Sequence, residues 1–98
     1  PKNGCERKGL DIYTTVTIPY ATAALGGKAR IHTLYGDVDC NIKSGTQDGS
    51  KIRLRGKGIV SRKNPSMHGD QYVKVQIQVP KYLSPEAKKK LQEYSAVC

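Results

Sequence analysis

The sequence predicts a mainly β fold, a small two-sheet β-sandwich with a short internal helix and a C-terminal helix. Three observations carry this. Several segments alternate apolar and polar residues with the period of a strand, Gly, Asn, Asp, Ser and Pro cluster between them, and one segment near the end carries a helix cap followed by apolar residues at helical spacing. At 98 residues the chain has the size of one domain, residues 1–98, with one modest core that removes roughly 60 to 70% of the unfolded surface from water.

The first strand is the clearest. Ile12, Thr14, Val16 and Ile18 fall on one face and Tyr13, Thr15 and Thr17 on the other, until Pro19 ends the run. Tyr20 to Leu25 contains three alanines and stops at Gly26 and Gly27, which fits a short helical turn closed by glycine. From Lys28 to Leu34, Ala29, Ile31 and Thr33 alternate with Lys28, Arg30 and His32, and Tyr35-Gly36-Asp37 supplies a hairpin turn. Val38, Cys40 and Ile42 then share a face, with Cys40 read as a small buried hydrophobe.

After a loop from Ser44 to Gly49, Lys51 to Arg55 turns Ile52 and Leu54 inward and three basic residues outward. An irregular connection from Gly56 to Gly69 reaches Asp70, and the longest strand follows, with Val73, Val75, Ile77 and Val79 expected inward. Pro80 closes it. Ser84 and Pro85 form an N-cap and first helical position with Glu86 in the first turn, so a helix is expected over residues 84–95. Ala87, Leu91 and Tyr94 lie at i, i+4 and i+7, a narrow apolar stripe that must pack on the sheet or on a partner.

Composition narrows the function. Hydrophobic residues make up 37% and charged residues 26%, Phe and Trp are absent, and no apolar run approaches the ~20 residues that span a bilayer, so a soluble domain cut from a longer protein is expected. The net charge of +9 is dispersed, with Asp37, Asp39, Asp48 and Asp70 interleaved among the basic groups. Cys5, Cys40 and Cys98 are too few and too far apart for a disulfide framework or paired zinc ligands, so no cofactor is expected here and a reducing cytoplasm is the simplest compartment. His32 and His68 lack a neighbouring motif and Gly56-Lys57-Gly58 is too short for a phosphate loop, which leaves no catalytic set and points away from an enzyme.

Two binding classes remain. A peptide-binding module needs an exposed strand beside an apolar groove, and Leu25, Ala29, Ile31 and Thr33 could line one, although Leu25 and Ile31 fit an ordinary core equally well. The alternative is a basic nucleic-acid-binding β-domain, in which lysine and arginine meet phosphate and tyrosines stack on bases, although no aromatic pair of the usual RNA-binding kind is legible.

The order DIYTTVTIPYATAALGGKARIHTLYGDVDCNI, then GTQDGSKIRLRGKGIVS, then GDQYVKVQIQVPKYLSPEAKKKLQEY resembles the second C-terminal β-domain of DnaJ-type co-chaperones over about residues 7–95. Ala23 to Gly27, Gly45-Thr46-Gln47 with Arg53 to Gly58, and Gly69-Asp70 are its most specific parts. The resemblance implies two small packed sheets that hold unfolded polypeptide for transfer to the chaperone DnaK. It also implies a homodimer to which the terminal helix, with Ala87, Leu91 and Tyr94, contributes. By position, the client-contacting strand of the neighbouring family domain corresponds to the one containing Ala29, Ile31 and Thr33. The family's His-Pro-Asp tripeptide, Gly/Phe-rich linker and Cys-x-x-Cys-x-Gly-x-Gly repeats do not occur in these residues, so zinc and ATPase stimulation are expected only elsewhere in a longer parent.

Overall fold

The computed structural model describes residues 5–98. Its elements are β1 (Glu6–Lys8), β2 (Asp11–Pro19), α1 (Tyr20–Leu25), β3 (Gly27–Thr33), β4 (Gly36–Ile42), β5 (Lys51–Leu54), β6 (Gln71–Gln78) and α2 (Pro85–Ala96). Four strands form one sheet in the order β1-β2-β6-β5, and β3 with β4 forms a separate two-stranded sheet. At the centre of the larger sheet, β2 and β6 run parallel, from Ile12 opposite Gln71 to Pro19 opposite Gln78. A parallel pair needs a crossover. Here α1, the β3–β4 hairpin and β5 all lie within it.

Alternation along the strands decides which face is covered. Ile18, Ala23, Ile42 and Val75 form the buried cluster, and Val16, Ala29, Ile52 and Ile77 pack against it, so α1 and the hairpin close over one face of the larger sheet. Each fully buried isoleucine or valine here contributes about 1.5 to 3 kcal/mol. Gln71 is the buried polar side chain among the described residues, 1% exposed. Its Nε2 donates to Thr14 Oγ1 at 3.1 Å and to the His32 carbonyl at 3.0 Å, which ties the larger sheet to the hairpin.

The connection from Gly56 to Gly69 carries no strand or helix of its own, as expected, but it is tightly hydrogen-bonded. The Ile59 amide donates to the Leu10 carbonyl at 2.7 Å, the Gly58 amide to Gly69 at 2.9 Å and the Gly69 amide to Ile59 at 3.0 Å. A Cβ on Gly69 would lie 2.0 Å from the Leu10 carbonyl oxygen, and one on Gly58 2.4 Å from the same atom. Backbone meets backbone there, and only glycine fits.

Asp70 organises the start of β6. Its carboxylate accepts the Gly56 amide at 2.9 Å and the Arg53 guanidinium at 2.7 and 2.8 Å, and its side chain is 16% exposed. The Gly56 amide first, and then Arg53, hold the carboxyl below the ordinary carboxylate range. Because the folded state binds this proton more weakly than the unfolded state, the contribution is complete above the unfolded value of about 3.9 and is lost as pH falls through the folded one. Asp70→Asn is therefore expected to destabilise clearly at pH 7 and progressively less toward pH 3. Urea unfolding of both chains at the two pH values checks this, and an equal loss at both would remove the carboxylate from the explanation.

At the other end, the Ser84 side chain accepts the Ala87 amide at 3.1 Å, Pro85 opens α2 and Glu86 sits in its first turn, as the sequence predicts. No residue of α2 is buried. No helix among the described residues is long and apolar enough to cross a membrane. Val79, expected inward, is 78% exposed, because β2 ends at Pro19 and leaves β6 no ladder partner beyond Gln78. Cys40 is half-buried on β4, and burial, followed by Asp39, pushes its thiol up, consistent with a packing role.

Candidate functional site

The site begins with the placement of α1. Ala23 points into the core at 2% exposure, so the opposite side of this six-residue helix faces outward. The loop after β4 fixes it there: the Gly45 and Thr46 amides donate to the Ala23 carbonyl at 2.8 and 3.0 Å, and the Ser44 hydroxyl donates to Ala24 at 2.8 Å. Gly26 makes the close approach feasible. Its φ is 86°, and a Cβ there would stand 3.1 Å from the Ile42 carbonyl oxygen and the Ser44 nitrogen.

Between the outward side of α1 and α2 lies a groove of about 780 Å³. Tyr20, Ala21, Ala24 and Leu25 line it from α1, Ala87, Leu91 and Tyr94 from α2, and the Pro80 to Leu83 linker also contributes to the lining. The lining is mostly apolar, with Lys81 and Lys90 also present. Tyr20 and Tyr94 hold the walls together through a 3.0 Å hydroxyl–hydroxyl hydrogen bond and an edge-to-face ring contact with centroids 6.5 Å apart. That hydrogen bond, and then the neighbouring Cys98, push the Tyr94 phenol above the ordinary tyrosine range. Leu25 is 80% exposed, Tyr82 92% and Leu91 42%, so the groove presents apolar surface to solvent.

Leu25, Ala29, Ile31 and Thr33, which the strand pattern groups along one groove, lie apart in the structure. Leu25 lines the groove. Ala29 is half-buried against the core, and Ile31, opposite Val38, is 4% exposed. The Thr33 hydroxyl accepts the Tyr35 amide and donates to the Gly36 carbonyl, closing the hairpin turn. Ala87, Leu91 and Tyr94 do share one face, and Leu25 joins them across the groove. Tyr20, Tyr82 and Leu83 were not singled out. The signal for Tyr82 and Leu83 is an apolar pair standing between the strand-closing Pro80 and the Ser84 helix cap, where neither residue has a strand or helix face to fill; Tyr20 opens α1.

The outward face of the hairpin is charge-balanced, with Arg30 paired to Asp39 at 3.3 Å and His32 to Asp37. On the outer face of the four-stranded sheet, Lys8, Lys51 and Lys74 outnumber the Glu6 carboxylate that lines the same depression. Tyr13 and Tyr72 stack there with centroids 5.2 Å apart, the Lys8 ammonium lies 5.7 Å from the Tyr13 ring, and Lys51 stands opposite Lys74.

A family model described as the DnaJ C terminal domain matches residues 1–80. The DnaJ homolog l(2)tid, mitochondrial, of Drosophila virilis is 45% identical over 89 residues, covering 91% of this chain and 17% of that protein. The chaperone protein DnaJ of Lacticaseibacillus casei is 40% identical over 96 residues, 98% of this chain and 24% of the relative. That of Clostridium botulinum (strain Eklund 17B) is 41% identical over 98 residues, all of this chain and 26% of the relative. The chain thus spans about a quarter or less of the length of these curated relatives.

Proposed function

Because the chain belongs to the DnaJ C-terminal domain family, we propose that it acts as the second C-terminal β-domain of a co-chaperone, supporting homodimerisation and holding unfolded polypeptide for transfer to a DnaK-type chaperone. The domain is a chaperone module and not an enzyme. The observation that carries the reading is the groove, which gathers Leu25, Tyr82, Leu91 and Tyr94 into one exposed apolar surface. A face of this kind is stabilised by a covering partner. The α2 wall offers Ala87, Leu91 and Tyr94 to a second copy, and the α1 wall offers Leu25 to extended apolar segments. The free thiols of Cys5, Cys40 and Cys98 suit a reducing, cytoplasm-like compartment.

Self-association tests it most directly. Leu91→Asp places a charge in the apolar contact, and hot-spot losses of about 2 to 3 kcal/mol correspond to a self-association constant roughly 30- to 150-fold weaker. Sedimentation equilibrium of the two chains measures the difference, with circular dichroism showing that the exposed site leaves the fold intact. A chain that remains monomeric at millimolar concentration, and whose groove amides do not move on titration with an extended apolar peptide, would overturn both halves of the reading.

A further inference from the structure

The outer face of the four-stranded sheet lies away from the groove, and dimerisation and client holding make no use of it. Registration builds two rows across it. One row runs Glu6, Tyr13, Tyr72, Arg53, and the next runs Thr15, Lys74, Lys51. Arg53 is engaged by Asp70. Among the described residues no carboxylate pairs with Lys8, Lys51 or Lys74. Like charges directly opposite in an antiparallel pair are destabilising, so the Lys51–Lys74 pair is a local cost that an anion lying between them would relieve. These lysines line a shallow depression of about 410 Å³ together with Thr14, Thr15, the two tyrosines and Glu6, whose single carboxylate leaves the lining net positive.

The geometry points to this face as a docking surface for an extended acidic polypeptide segment, one carrying two or more neighbouring glutamates or aspartates. The ammonium groups supply charge complementarity, and the Thr15 and tyrosine hydroxyls can donate to carboxylate oxygens. Strands spaced by about 4.8 Å place Thr15, Lys74 and Lys51 within the reach of three or four extended residues. Single-stranded nucleic acid shares the charge requirement but also needs an open ring face for base stacking. Tyr13 has none: Tyr72 covers it from the β6 side and the Lys8 ammonium from the β1 side. Arg53 is the cross-strand neighbour of Tyr72 on β5. Tyr13 therefore offers its hydroxyl and edge, and no open stacking face.

The test is an amide-shift titration of the 98-residue chain at low ionic strength with a six-glutamate peptide, beside a six-glutamine peptide and a short oligouridylate. The expected result is movement centred on Thr15, Lys51 and Lys74 with the acidic peptide and none with the neutral one. Lys74→Glu should weaken binding about tenfold, since it removes one ion pair and adds a repulsion. The same change should leave Tm equal or higher, because Lys51 gains an opposite charge across the strands. Affinity and stability moving in opposite directions is a signature that mere unfolding cannot produce. Lys88→Glu on α2 should change neither. Tighter binding of oligouridylate to the same residues would replace the acidic segment by nucleic acid. Movement confined to Lys88–Lys90, or an unaltered affinity in Lys74→Glu, would remove the site.

Discussion

Gly69→Ala is expected to destabilise the domain by at least about 3 kcal/mol, because its new methyl has no route of escape. The Cβ would sit 2.0 Å from the Leu10 carbonyl oxygen and 2.3 Å from its carbon. That same oxygen accepts the Ile59 amide. Relief requires the β1–β2 turn to move away from the loop, which breaks this hydrogen bond and strains the junction where Asp11 accepts the Asp70 amide at 2.8 Å. Gly9 supplies the comparison. It lies in the same turn with φ 59° and nothing within 4 Å of a Cβ, so Gly9→Ala carries only the left-handed backbone cost of about 1 to 2 kcal/mol. Urea unfolding of both variants separates crowding from backbone conformation, and equal losses would show that crowding at Gly69 is not the cause.

Gln71→Glu is nearly isosteric, yet it is expected to cost about 3 to 4 kcal/mol at pH 7. The substituted carboxylate would be 99% enclosed and would face the His32 carbonyl oxygen, an acceptor against an acceptor, where Gln71 now donates. The group keeps its proton instead, so its folded pKa rises above the unfolded value of about 4.3. The folded state then holds a proton that the unfolded state has lost. Stability relative to the parent chain should accordingly be nearly intact near pH 4, where the acid can donate to His32, and fall by about 1.4 kcal/mol per pH unit above it. Unfolding midpoints at pH 4 and 7 distinguish this from a packing defect, which would be independent of pH.

Most elements were legible because each buried face has one period. The span of α1 from Tyr20 to Leu25 and the cap of α2 at Ser84 follow from local chemistry that tertiary contacts do not override. β1 was not legible: Glu6, Arg7 and Lys8 are all exposed, so there is no apolar alternation to read, and only backbone pairing with Asp11 to Tyr13 makes them a strand. The parallel pairing of β2 with β6 was equally hidden, since alternation records which face is covered and not which neighbour lies alongside. At the site, the stripe of α2 could be read from spacing. Its closeness to Leu25 could not, because it depends on the path of Pro80 to Leu83, four residues outside any periodic element. Ile31 illustrates the limit of strand patterns: core-facing and groove-facing residues alternate identically, and only the closure of the hairpin over the sheet separates them.

The parallel centre of the sheet also sets the order in which the domain can be made. β3 and β4 meet across a two-residue turn, Leu34–Tyr35, and can zip as soon as both exist. Ile12 has no partner in β6 until Gln71 arrives, and closing so long a loop must precede the contacts that reward it. On a chain emerging from the ribosome, β2 therefore waits with its apolar side uncovered after both strands of the hairpin are available to pair. A domain proposed to hold unfinished polypeptides passes through that condition itself before its own last strand is laid down.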